Sequence, residues 1–375
     1  MEIAPALLEN WLRDYYFDLS IDLGCSGVLP YSFAELRRLL NLTEADLDQI
    51  VFRDSRSLGD LELRDAIARR WGNGDNNQVM VTNGSSEAMY LIMHALLRAS
   101  DEVIVLEPAY QSLFSIAESI GCRLKRWRLR FDRQFIPDMD EFKGLIGPRT
   151  RMVILNFPHN PTGASLDTEQ QEELISVIEE AGAYLFWDGA FAELVYEGLP
   201  LPNPALRYER AISIGTLSKA YGLPGLRVGW CFAASEILDK CIRLRDYISL
   251  AMSPLVEMIA RLAIEKADDL LGSRLLQART NLELMAAWLK QHQNEVEWVR
   301  PKGGVSSFLH FRRINDIEAF CHQLAQKHSV LLVPGTCFNH ESFVRLGFGG
   351  PTSQLKQGLS CLSELLAEVA LSRSH

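Results

Sequence analysis

Six runs that are apolar almost throughout punctuate the first two thirds of the chain: QVMVTNG (78–84), DEVIVLEP (101–108), TRMVILNFP (150–158), GAYLFWDG (182–189), AISIGTLS (211–218) and RVGWCFA (227–233). A strand with one wet face alternates apolar and polar residues, so continuous runs of this kind predict strands covered on both faces. Between the first two, residues 86–98 place Met89, Leu91, Ile92, Ala95 and Leu96 near one face of a helix. Helical stretches also follow the second and third runs, including DTEQQEELISVIEEAG (167–182), whose closing glycine is a helix stop. Strands alternating with helices predict an α/β fold, a mainly parallel sheet in three α/β/α layers.

The pattern changes after about residue 255. Helical stretches over 257–269 and 278–292 lead to shorter strands around VSSFLHF (305–311), VLLVPG (330–335) and FVRLGFG (343–349). We expect a large α/β/α domain over residues 45–255. Residues 1–44 and 256–375 should form a smaller α+β domain, hinged to it by a long helix.

Composition narrows the class of partner. The 375 residues carry 38 Lys and Arg against 48 Asp and Glu, a formal charge of −10, which disfavours nucleic acid. No run approaches the roughly 18 consecutive apolar residues of a membrane span. The start carries acidic residues instead of a basic leader, so a cytoplasmic protein is expected. The seven cysteines include no CxxC pair and no Cys/His cluster at metal spacing. They read as buried thiols in a reducing compartment, and no metal site is expected.

Candidate chemistry centres on GTLSKAYGLPGLRVGW (215–230). A lone lysine after a strand is ordinarily a solvated surface group. Lys219 instead sits among apolar residues and glycines, which would desolvate its ammonium, lower its pKa and suit it to act as a Schiff-base nucleophile. Thr216, Ser218 and Arg227 nearby would suit a phosphate dianion. The whole string resembles the lysine signature of fold type I pyridoxal 5'-phosphate (PLP) enzymes, the aspartate aminotransferase superfamily.

Further segments follow in the order that this resemblance requires. It assigns Asn160, in NFPHNPTG (156–163), to the cofactor's phenolic oxygen and Asp188, in FWDGAF (186–191), to its pyridine nitrogen. A carboxylate there keeps the ring protonated and able to draw electrons from the substrate. By themselves the first segment is a Pro-rich turn and the second an aspartate at a strand end. Gly84, Ser85 and Ser86, in TNGSSEA (82–88), enter a helix whose first N–H groups would hold phosphate, a role compatible with capping by the serines. Tyr110, in EPAYQSL (107–113), matches the aromatic that stacks on the pyridine ring. Arg345, in SFVRLGFG (342–349), matches the arginine that grips the substrate's α-carboxylate bidentately. The same resemblance implies a homodimer whose subunits both help build each site.

Two positions leave the transaminase pattern. Three residues beyond Asp188, where many aminotransferases have a tyrosine, stands Phe191; before SLGDLELRDAIA (57–68) the nearest aromatic is Phe52. The strings FRDSRSLGD, VMVTNGSSEAMYL, RTRMVILNFPHNPTGA, WDGAFAELV and RDYISLAMSPLVE resemble a narrower branch. It contains capreomycidine synthase and the guanitoxin-pathway cyclodehydratase that forms L-enduracididine. That resemblance implies dehydration and ring closure of a hydroxylated L-arginine in specialised-metabolite biosynthesis. Conversion of γ-hydroxy-L-arginine to L-enduracididine is favoured, with capreomycidine-type closure of the β-hydroxy isomer as the close variant. The alternative is a class I/II aminotransferase of an ordinary amino acid. A guanidinium substrate calls for a carboxylate at the mouth of the site. Glu9 is the first choice, ahead of Asp22 and Asp54, and each also reads as a surface charge. Ser26 and Gly27, in LGCSGVLPY (23–31), are expected against the substrate.

Overall fold

The computed structural model describes residues 2–372. Seven strands form its central sheet: β1 (Val79–Asn83), β2 (Glu102–Glu107), β3 (Arg123–Arg128), β4 (Thr150–Asn156), β5 (Tyr184–Asp188), β6 (Ala211–Thr216) and β7 (Val228–Phe232). Their order is β1-β7-β6-β5-β4-β2-β3. All six apolar runs form strands, and only β7 runs against the others. Residues 217–227, which join β6 to β7, are too few for the crossover that a parallel neighbour needs. The reversal therefore folds the lysine-bearing segment back across the end of the sheet.

The apolar runs did not announce β3, whose sequence is RLKRWR. It is one of the two edge strands, and unlike β1 at the other edge, which is buried over most of its length, it is only partly covered and carries arginines and a lysine. Charge on an edge strand deters pairing with other chains, at the cost of the apolar signature. Central β4 is the opposite case: Met152, Val153, Ile154 and Leu155 are all buried, each side chain contributing about 1.5–3 kcal/mol. The helices Gly84–Leu96, Ser112–Ile120 and Ser235–Arg245 cover one face of the sheet, and Leu61–Trp71 and Thr168–Glu180 cover the other. The last begins at Asp167, whose side chain accepts from Gln170 N in a capping box.

A second, antiparallel sheet has the order β10-β11-β9-β8, formed by β8 (Val296–Glu297), β9 (Ser306–Phe311), β10 (Val333–Pro334) and β11 (Phe343–Gly347). The run VLLVPG, expected as one strand, is divided. Val330–Leu331 pairs in parallel with Ile21–Asp22, while Val333–Pro334 joins β11. This division ties the N-terminal residues to the C-terminal part of the chain. The helix Pro254–Glu265 packs on Leu61–Trp71, and the long helix Ala267–Gln291 packs on Thr352–Ser372. The N-terminal helix Leu7–Tyr15 bridges both sides of the cleft. Trp11 Nε1 donates to Leu332 O at 2.7 Å, and Gln111 Nε2 donates to Pro5 O at 2.8 Å. Among the described residues no helix is long and apolar enough to cross a membrane.

Candidate active site

The carboxyl ends of β4, β5 and β6 present Asn156, Asp188 and Thr216, and the helix Gly84–Leu96 starts where β1 ends. Open α/β sheets gather ligand-binding groups at these ends. Here they converge on a cavity of about 520 Å³, with Lys219 among its lining residues. A separate cleft of about 800 Å³, beside Tyr196, Arg279 and Lys302, contains none of the residues expected in the site.

One end of the cavity suits an anion. Ser85 and Ser86 face it from the first turn of a 13-residue helix, where N–H groups lack partners within the helix. Gly84 does not line the cavity but makes the arrangement possible: its φ is +72°, and a Cβ there would overlap Arg227 Nη2. Arg227 is itself left-handed, at φ 54°, and donates to Pro224 O at 3.2 Å. Thr216 acts mainly as a brace. Its hydroxyl bonds to Val228 O at 2.9 Å and accepts from Ser218 N at 3.1 Å, holding β6 to β7 beneath the Ser218 side chain.

At the centre, buried Asp188 accepts from Ala190 N through Oδ1 at 2.9 Å, while Asn156 Nδ2 donates to its main-chain oxygen at 2.9 Å. Burial pushes the Asp188 carboxyl up to about 6, against the pull of the Ala190 N–H and of Lys219. Among the described residues its Oδ2 makes no hydrogen bond, and Asp188 lines the cavity, so that oxygen is available to a donor there. Asn160 is placed by its own N–H, which donates to Asn156 Oδ1 at 2.8 Å. Lys219 is held below the ordinary lysine value first by removal from water and then by the Arg345 charge. Its Nζ lies 3.1 Å from Ser26 Oγ. Tyr110 donates to Glu9 Oε1 at 3.0 Å, and burial, followed by the Glu9 charge, pushes the phenol up to about 12.

The other end is built from segments far apart in sequence. Arg345 on β11 is 1% exposed, so the possibility of an exposed strand arginine is gone. Its Nη1 donates to Asn160 Oδ1 at 3.2 Å and its Nη2 to Gly24 O at 2.7 Å, while Nε has no partner among the described residues. No carboxylate pairs with it among the described residues. A buried cation in that condition is costly unless an anion joins it. Asp22, considered as a guanidinium ligand, instead shapes the loop: its Oδ1 accepts from Gly24 N at 2.8 Å and from Cys25 N at 2.9 Å. Asp54 is exposed and lies outside the cavity. Glu9 and Ser26 line it, whereas Gly27 lies behind Lys219, where a Cβ would stand 3.3 Å from Ser218 O. Phe191 also lines the cavity and offers no polar atom. Cys25, the N-terminal helix residues Leu8 and Leu12, Tyr16 just beyond that helix, and Met89 complete parts of the wall; sequence reasoning did not assign them. The amphipathic pattern of residues 7–16 was the available signal for the helix.

This donor set fits PLP. It supplies a helix N-terminus and an arginine for a phosphate, a free carboxylate oxygen for a ring N–H, an amine for an aldehyde, and a buried guanidinium for a substrate carboxylate. Residues 32–362 match the family described as Aminotransferase class I and II. The chain is 44% identical over 373 residues to capreomycidine synthase from Streptomyces vinaceus, covering 99% of this chain and 96% of that one. Its fold superposes on the solved structure of a PLP-dependent cyclase, OrfR, with a TM-score of 0.94 at 42% identity, covering 98% of each chain. It is also 29% identical over 325 residues to an arginine–pyruvate transaminase from Pseudomonas aeruginosa, covering 83% of this chain and 82% of that one. The chain therefore belongs to the class I and II aminotransferase family and is a PLP-dependent enzyme with the aspartate aminotransferase fold.

Proposed function

We propose that the protein dehydrates and cyclises a hydroxylated L-arginine, with γ-hydroxy-L-arginine going to L-enduracididine as the favoured reaction. The observation that carries the reading is the nearly full-length likeness to capreomycidine synthase. Glu9 adds to it by presenting a carboxylate for a guanidinium within the same cavity as Lys219.

In this reading Ser85, Ser86, Ser218 and Arg227 hold the phosphate, with Gly84 and Thr216 shaping their positions. Tyr110 packs on the ring, Asn160 bonds its phenolic oxygen, and Asp188 holds a proton at the ring nitrogen. Bound PLP supplies an electron sink for the pair released at the substrate's Cα. Arg345 grips the α-carboxylate and Glu9 the guanidinium, while Ser26 bounds the space beside them and Gly27 lets the same loop lie against the Lys219 segment. Lys219 removes the Cα proton and later returns it. The hydroxyl departs with a proton as water, and a guanidine nitrogen bonds the vacated carbon and loses a proton. Loss of a β-hydroxyl requires base action only at Cα, and closure then gives a six-membered ring. A γ-hydroxyl lies one carbon further away, so Lys219 must also serve Cβ, and closure gives a five-membered ring. The amine is retained and no keto acid is consumed. A homodimer is expected to complete each site, and the exposed apolar residues Val51, Phe52, Tyr247, Ile248 and Leu250 are consistent with a covered surface.

The test is purified holoenzyme given each β- and γ-hydroxyarginine isomer. Loss of one water with the α-amine retained supports the reading, and the reactive isomer identifies the hydroxyl position. Strict dependence on a keto acid refutes it. The second reading, transamination, is favoured by the presence of Lys219, Asp188, Asn160, Arg227 and Arg345 together, and by the likeness to the arginine–pyruvate transaminase.

A further inference from the structure

Lys219 must be free of the cofactor in order to move protons, and a flexible amine needs somewhere to rest. The structure provides one place. Ser26 Oγ, 3.1 Å away, is the hydrogen-bond partner of Lys219 Nζ among the described residues. Phe191, on the same cavity wall, offers no polar atom. Ser26 is 5% exposed and belongs to a loop with little freedom. Asp22 Oδ1 fixes Gly24 and Cys25, and Gly347 N donates to Leu23 O at 2.8 Å. A Cβ on Gly347 would overlap Cys25 O, so the loop lies directly on β11. Val28 N donates to Lys219 O at 3.0 Å. The same short loop thus binds Lys219 at its main chain and at its amine. It also meets the substrate end of the cavity, because Gly24 O accepts from Arg345 Nη2 at 2.7 Å.

We propose that Ser26 is a positioning residue whose hydroxyl holds the free Lys219 amine beside the place where Arg345 seats the substrate. This rests on reading Lys219 as the proton carrier, and deepens that reading. The loop then sets the base and the carboxylate anchor in one frame: Gly24 braces Arg345, and two residues later Ser26 braces Lys219. The other ionisable groups facing Lys219 are Cys25, Arg345, Glu9 and Asp188. A hydroxyl accepting from an amine favours the ammonium over the neutral form, since charge strengthens the bond. Removing it should leave Lys219 both less well placed and easier to deprotonate.

The experiment is α-proton exchange of L-arginine by the full-length holoenzyme in heavy water, followed by mass spectrometry across pH, with competitive acetylation of Lys219 in cofactor-stripped protein as a readout independent of turnover. L-Arginine has no side-chain hydroxyl to lose, so exchange reports Lys219 whether or not hydroxyarginines cyclise; failure of cyclisation overturns only the proposed reaction. For Ser26→Ala the maximal exchange rate should fall between about ten- and a hundredfold. The half-saturating L-arginine concentration should change less than about twofold, a split that marks loss of placement instead of binding. The pH at which Lys219 becomes reactive to acetylation should move downward. Ser26→Thr, which keeps a hydroxyl, should restore most of both readouts. An unchanged exchange rate and acetylation profile in Ser26→Ala overturns the proposal. So does a loss expressed only in the half-saturating concentration, which would make Ser26 a substrate contact, or an equal loss in Ser26→Thr.

Discussion

The two ends of the cavity are made in different ways. The end proposed to hold phosphate comes from short contiguous strings at strand ends: residues 84–86 open a helix, and residues 216–227 turn β6 back into β7. The substrate end joins Glu9 on the N-terminal helix, Ser26 on a loop and Arg345 on β11, which only tertiary packing brings together. At the first end, the local geometry is set largely by backbone within each string, and the pairing of β1 with β7 brings the two strings together. At the second, positions depend on contacts between segments distant in sequence, such as Arg345 with Gly24 and Tyr110 with Glu9. A scaffold built this way can keep its cofactor chemistry while the substrate end changes by substitutions in three separate segments.

Lys219→Ala tests the point where the two ends meet and should have the largest effect. Turnover should fall about a thousandfold or more, and the visible absorbance of lysine-bound cofactor should vanish. PLP should still be retained noncovalently through the phosphate end, as equilibrium dialysis can measure. Turnover close to that of the unchanged enzyme would remove Lys219 from the centre of the chemistry.

Asp188 gives the next largest effect, visible in stability before any substrate is added. Its carboxyl stands at about 6, above the ordinary 3.8. A raised value means that the folded protein holds the proton more tightly than the unfolded chain. The associated stability is complete below about 3.8 and is lost as pH rises through about 6, for a total of roughly 3 kcal/mol. Cofactor-free protein should therefore lose that increment across this window relative to Asp188→Asn in denaturant titrations. A protonated ring nitrogen beside Asp188 should abolish the loss in the holoenzyme. Parallel curves for the two cofactor-free proteins would contradict the burial argument.

Arg345→Gln separates the ends most directly. Two charge-assisted hydrogen bonds to a carboxylate are lost, so the half-saturating substrate concentration should rise about a hundredfold, with the cofactor's absorbance spectrum and affinity preserved. Loss of cofactor to the same degree would mean that the ends are a single unit.

The same division explains what the sequence made legible. The lysine string, NFPHNPTG and TNGSSEA each carry their geometry locally, so roles at the proposed cofactor end could be put forward residue by residue. Six strands were readable because burial leaves an uninterrupted apolar run, even at edge strand β1, whereas the other edge strand, β3, is only partly covered and carries the charges that hide it. Asp22, weighed behind Glu9 as a guanidinium ligand, caps its own loop instead, and in sequence such a carboxylate looks like one available to a ligand. Gly27 was expected against the substrate because a close-fitting loop needs glycines, and its missing side chain does allow a close fit, to the Lys219 segment. The Ser26 contact with Lys219 spans 193 residues, and no local pattern encodes it.

Glu9→Gln is the mildest substitution and the sharpest on specificity. The two side chains have nearly the same shape, and a glutamine oxygen can still accept from Tyr110, so the contact between the N-terminal helix and the Tyr110 segment survives. What disappears is one negative charge in a partly open part of the cavity, where an ion pair contributes about 1 kcal/mol. The half-saturating concentration of a guanidinium amino acid should therefore rise about fivefold, while α-proton exchange of an uncharged amino acid of similar length stays the same. Equal losses for both would show that Glu9 serves Tyr110, and through it the cofactor end, and would make the guanidinium ligand a residue of another segment. A loss confined to the guanidinium substrate would place specificity on the N-terminal helix, a segment that contributes nothing to the phosphate end.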